Sequence, residues 1–232
     1  MDNESLINLI YIIPLLIAII YFYIRQSRKK TTLEKSERVT IVQRDGDHFV
    51  ESLTVMGYFR FASPDQLEAL IEEVRICYQT HGVLGTLEEN WMPLCHRLFS
   101  ADAEFVFEEG GIIQTLKVLK PAFEIRGLKL EINDHFEDYS ENIANQWVVI
   151  NERKYVIYDA LKASDAEWKI AIERLLDLLN SEFELQGSDE RVYQISEGND
   201  SQLVILTSPM FDFLISSDIE SEWKPARYSP AE

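Results

Sequence analysis

The densest run of chemically capable side chains is Asp134-His135-Phe136-Glu137-Asp138, followed closely by Tyr139 and Glu141. Carboxylates at this density can hold Mg²⁺ or Ca²⁺, which take hard oxygen ligands. The run lacks the glycine and the ligand spacing of a calcium loop, so its metal reading gives way to that of a solvated acidic loop. Phe136 and Tyr139 add a second character. Aromatic rings set among Asp134, Glu137, Asp138 and Glu141 suit a protein interface, and these six are the candidate partner-binding residues. The alternative is that the two rings pin the loop to the core.

Other chemistry is sparse. The chain has no G-x-x-x-x-G-K-[ST], H-E-x-x-H, G-x-S-x-G or G-x-G-x-x-G. His48, His81, His96 and His135 share no short ligand spacing, and Cys95-His96 is adjacent without further ligands nearby in sequence. Gly110-Gly111 follows Glu108-Glu109, whose charge repels a phosphate. Carboxylate pairs select nothing among 40 acidic residues. No catalytic residue, metal or cofactor is implied.

Charge narrows the partners. The 232 residues carry a formal net charge of −18, which argues against nucleic acid, since a phosphate binder needs a basic face. With 2 Cys the chain is no disulfide scaffold; Cys77 falls on the apolar face of an expected helix and reads as core filler. A hydrophobic content of 46% is enough for a packed core.

Leu6 to Ile24 holds no charge, and as a helix it spans roughly 28 Å, close to the hydrocarbon thickness of a bilayer. Pro14 predicts a kink there rather than a break. Asp2 and Glu4 precede the run, while Arg25, Arg28, Lys29 and Lys30 follow it. That order is the reverse of a signal peptide and places the basic flank in the cytoplasm, with the N-terminus outside. Beyond residue 30 the chain has 18 basic against 38 acidic residues, an acidic body behind a basic collar. The expected organisation is an anchor with its collar over 1–30, a tether over 31–37, a globular domain over 38–216 and a mobile tail over 217–232. Asn199-Asp200-Ser201 is a glycosylation pattern that would report the opposite topology.

The elements that must position the candidate residues follow from periodicity. Alternation predicts strands over 38–44, 52–56 and 58–61. Ser63-Pro64-Asp65-Gln66 predicts a helix start, and Leu67, Leu70, Ile71, Val74, Cys77 and Tyr78 form its apolar face up to His81-Gly82. Residues 82–100 read as irregular. Helices follow over 101–109 and beyond Gly110-Gly111, then a strand over 128–132 and a loop over 133–146. A hairpin over 147–158 turns through Asn151-Glu152-Arg153. Ser164 to Glu167 is a capping box for the next helix. Strands over 191–196 and 202–206 and a helix from Ser208-Pro209 complete the order. Two strand-then-Ser-Pro passages, near Phe61 and Leu206, suggest a duplication.

This order predicts an α+β fold: an N-terminal transmembrane helix, then a mainly antiparallel sheet with helices packed on one face. The expected function is a single-pass membrane protein whose acidic cytoplasmic domain binds a basic protein partner. A bacterial immunity protein that neutralises a toxin is one concrete version. A membrane-anchored enzyme with its site at residues 134–141 or 91–96, or a structural subunit of a membrane complex, are the alternatives.

Overall fold

The computed structural model describes residues 44–89, 92–139, 143–162, 167–196 and 201–227. The expected anchor over Leu6 to Ile24, its flank Arg25, Arg28, Lys29 and Lys30, the tether, the strand over 38–43, the capping box at Ser164 and the turn at Asn199 lie outside these residues. Among the described residues no helix is long and apolar enough to cross a membrane. The chain from Arg44 onward forms one unit.

Its first element corrects an expectation. Residues 46–55 are helix α1 (Gly46–Val55), not strand. Asp45, read as a turn residue, is its N-cap: the carboxylate accepts from His48 N at 3.0 Å. Phe49, Val50 and Leu53 then fall on one buried face. Tyr58 to Phe61 is a series of turns rather than strand. Helix α2 (Leu67–His81) ends at Gly82, as its periodicity predicts. It begins only after Gln66, because Ser63 turns its hydroxyl to Asp65 instead of capping.

Two short strands follow, β1 (Glu88–Glu89) and β2 (Met92–Pro93), then β3 (Leu98–Ser100). Helix α3 (Ala103–Phe107) is capped by Asp102, and Gly110-Gly111 turns the chain into α4 (Gly111–Glu124). Gly111 allows a close approach: a Cβ there would lie 1.9 Å from the Phe105 carbonyl oxygen. Three long strands come next in part: β4 (Ile132–Asp138), β5 (Ile143–Ile150) and β6 (Arg153–Lys162), the last two joined through Asn151 and Glu152 at positive φ. Helix α5 (Glu167–Leu185), β7 (Glu190–Ile195), β8 (Gln202–Thr207) and α6 (Ser208–Ser216) complete the order.

The architecture is α+β with antiparallel sheets, as expected. The sheets are β4-β5-β6, β3-β8-β7 and the small β1-β2 pair. Helices do not keep to one face. Along β8 the side chains alternate between two cores, with Leu203 and Ile205 in one and Val204 and Leu206 in the other. The first core holds α3, α4, α5 and the inner face of β4-β5-β6; the second holds α1, α2 and α6. A sheet flanked this way is apolar on both faces, which explains the unbroken run LVIL in β8.

A repeat is present, but not the expected one. Phe123-Glu124-Ile125-Arg126-Gly127 ends α4, and Phe183-Glu184-Leu185-Gln186-Gly187 ends α5. Both ends close alike: Leu128 N donates to Phe123 O at 3.0 Å and Ser188 N to Phe183 O at 2.9 Å, with Gly127 at φ 74° and Gly187 at φ 73°. That is the left-handed helix stop that favours glycine. The two phenylalanine rings meet at 4.6 Å between centroids. A hairpin follows each helix, and each helix end reaches the other's strand approach. Arg126 binds Glu190, while Gln186 bonds the Lys129 backbone at 2.7 and 2.9 Å.

The C-terminal stretch, expected to be mobile from residue 217, is docked through residue 227. Ile219 is buried, Glu220 N donates to Gly82 O, and Ala226 N donates to Gln194 O. Arg44 pairs with Glu220.

Candidate functional site

Residues 133–138 form strand rather than loop, and this decides which acidic side chains face outward. Strand β4 pairs with β5 in the register Asp134↔Val149, Phe136↔Trp147 and Asp138↔Asn145. Strand β5 turns Val148 and Ile150 into the core, both fully buried. By the two-residue alternation Trp147 and Val149 face outward, and with them Asp134, Phe136 and Asp138. Trp147 pairs onward with Val156 on β6. An apolar row, Phe136–Trp147–Val156, therefore crosses three strands on the outer face. Phe136 is 43% and Val156 53% exposed. The Phe136 and Trp147 rings stack at 6.0 Å and 16°, and Lys154 Nζ lies 4.2 Å from the Trp147 centroid. β4 and β6 are the edges of this sheet.

The remaining candidates are committed inward. Glu137 accepts from Gly110 N at 2.6 Å and from Gln146 Nε2 at 2.8 Å. The anion at the N-terminus of α4 is thus the protein's own carboxylate. Tyr139 donates to Phe107 O at 3.0 Å and packs edge-on against Phe107, and burial pushes its phenol up. Glu141 lies outside the described residues. The structure thus brings Asp134, Phe136 and Asp138 together on one outer face and uses Glu137 and Tyr139 to fasten β4 to α3 and α4.

A second constellation was not anticipated. The Glu190 carboxylate, 1% exposed, receives Arg97 at 2.9 Å, Arg126 at 2.5 Å and Arg60 at 3.3 Å. Arg97 is fully buried and also donates to the carbonyls of Tyr58, Ile205 and Gly57. All three guanidinium groups lie against one ring: Phe61 has Arg126 at 4.3 Å, Arg60 at 4.4 Å and Arg97 at 5.2 Å. Burial pushes the Glu190 carboxyl up, but the charges of Arg97 and Arg126 outweigh it and hold it below its ordinary value. Burial, with Arg97 and Arg60 nearby, pulls Arg126 down to about 10 despite Glu190. Arg126 Nη2 and His96 Nδ1 are buried without a hydrogen-bond partner.

A third group, also unforeseen, is structural. The buried Glu182 carboxylate on α5 accepts from Asn151 Nδ2 (2.6 Å), Arg153 Nη2 (2.8 Å) and Tyr155 Oη (2.5 Å), clamping the β5–β6 turn to the helix. Its acceptor sites are filled by the protein itself, which leaves little for catalysis.

Neither carboxylate centre is visible as a local motif, since Arg60, Arg97, Arg126 and Glu190 are far apart in the chain. One signal was available: Arg97 interrupts the apolar stretch Leu94 to Phe99, where a charge must find a partner. Among the described residues no group of three or more His, Cys, Asp or Glu is placed to hold a metal ion. Comparisons with protein-family models, curated proteins and solved structures find no match.

Proposed function

We propose that this chain is a membrane-tethered binding protein whose acidic domain captures a basic protein partner on the outer face of β4-β5-β6. The observation that carries the reading is the outward-facing Phe136–Trp147–Val156 row, half-buried at Trp147 and exposed at Phe136 and Val156, flanked by Asp134 and Asp138 on the β4 side. Apolar rings at the centre with charge at the rim is the anatomy of a specific protein interface. The body's excess of carboxylates steers a basic partner toward it and repels acidic ones. Tethering through Leu6 to Ile24, with the domain in the cytoplasm, is the second part of the proposal. It rests on the hydropathy and the basic flank alone. A toxin-neutralising immunity protein is a concrete form of this reading, because it would be met by a cationic domain emerging at the membrane.

The test is capture of the partner by the full-length chain in detergent, beside Phe136→Asp and Val156→Asp variants. One basic protein in near-equal amount, released by high salt and absent from both variants, is the expected result. Equal capture by the variants would remove the outer face from the account.

A further inference from the structure

A second region of the molecule holds a cavity of about 560 Å³, lined from β1, β3, β8, α3 and α4. Its volume lies within the range of small-molecule sites. Its inner wall belongs to the first core, for Phe99, Ala101, Leu119 and Leu203 are all buried there. Phe105 on α3 and Val118 on α4 line it too, and each is 41% exposed, so large apolar surface at this wall still meets water. Covering such surface is favourable in proportion to its area. The charge in the wall has one sign. Glu88 and Asp102 line the cavity, and among the described residues no Lys, Arg or His does. Asp102 is held in place: its carboxylate caps α3, accepting from Phe105 N at 2.9 Å, and a carboxylate can accept several bonds. The buried Thr115 hydroxyl is spent within α4, on Gly111 O at 2.9 Å.

We propose that this cavity binds a small organic monocation with an apolar body, an arylalkyl- or alkylamine, its ammonium group held at Asp102 with Glu88 adding its charge. The apolar body takes the place of water against Phe105, Val118 and the core side chains behind them. An acid of the same shape meets two carboxylates and no counter-charge in the wall. A divalent metal ion is a poor match, because two carboxylates in a largely apolar wall fall short of the six or more oxygens that Mg²⁺ and Ca²⁺ take. The lining takes nothing from β4, β5 or β6, so this site is separate from the outer sheet face and stands or falls independently of the partner proposed there.

The experiment is calorimetric titration of the full-length chain with 3-phenylpropylamine, with 3-phenylpropanol and 3-phenylpropionate as comparisons and the protein-free solution as blank. Saturable binding of the amine is expected, tighter than that of the alcohol, with none by the acid. Asp102→Asn keeps the cap on α3, since Asn caps as well as Asp, and should weaken the amine about threefold, the size of one exposed ion pair, while leaving the alcohol unchanged. Val118→Trp changes an exposed helix position and fills the cavity from its wall, so saturation by the amine should be lost. Melting curves show that both variants fold. No saturation by the amine, equal affinity for the alcohol or the acid, or undiminished amine binding in either folded variant would each overturn the proposal.

Discussion

Glu190 carries the sharpest residue-scale prediction. Replacing it by alanine leaves Arg97 and Arg126 charged and buried without a counter-charge, which costs about 3–5 kcal/mol. A denaturant midpoint measured beside the native chain checks this. The pH dependence follows from the same groups. Glu182 and Glu190 sit below their ordinary value of 4.5 in the folded chain. Their contribution is fully present above that value and is lost as pH falls through the depressed folded values. His96 is lowered from 6.5 by burial and by Arg126, so the unfolded chain gains the first proton and stability begins to fall below that pH. In His96→Asn the early part of that fall should vanish while the carboxylate part remains. Cys77, pushed up to about 11 by burial and by Glu73, should react only slowly with iodoacetamide at pH 8. Its reading as core filler is corrected, because Cys77 is only half-buried and belongs to neither core, whereas Cys95 is buried in the second. The arginines were not legible because what makes them a centre is the one carboxylate they share, Glu190, and the chain separates them widely.

At the scale of elements, legibility tracked how strongly one period dominated a segment. The α2 stripe was readable because its apolar residues keep one helical spacing, and the β5–β6 and β7–β8 hairpins because short β-branched and aromatic runs flank turn residues. Strand β4 was not, since INDHFED is poor in strand-forming residues and rich in acid. It is a strand because β5 offers it a ladder and because charge is what an edge strand carries to avoid further pairing. Helix α1 was hidden by Val50, Thr54 and Val55, which suit a strand as well, and by an N-cap that resembles a turn. The glycines give this scale its test. Gly187→Ala meets no neighbour within 4 Å but must hold φ 73°, so it should cost about 1 kcal/mol. Gly111→Ala would drive a Cβ into the Phe105 carbonyl, so α3 and α4 cannot both keep their places. A far larger fall in melting temperature is expected for it than for Gly187→Ala.

At the scale of the molecule, the fold is two cores on either side of β3-β8-β7, with a second sheet whose outer face is left to solvent. The paired helix ends at Gly127 and Gly187 cross-brace the α4 and α5 halves. The passages near Phe61 and Leu206 are not the repeat, because the one before Ser63 is helix and turns. The acidic balance was legible at once from composition, but which acids face outward was not: only the strand register separates Asp134 and Asp138 from the inward Glu137. The measurement that bears most directly on the binding account is capture by the full-length chain and by Phe136→Asp, side by side, at low and high salt. The account predicts one basic partner held by the native chain at low salt and lost both at high salt and in the variant. A partner held equally by both chains, or undiminished at high salt, would contradict it.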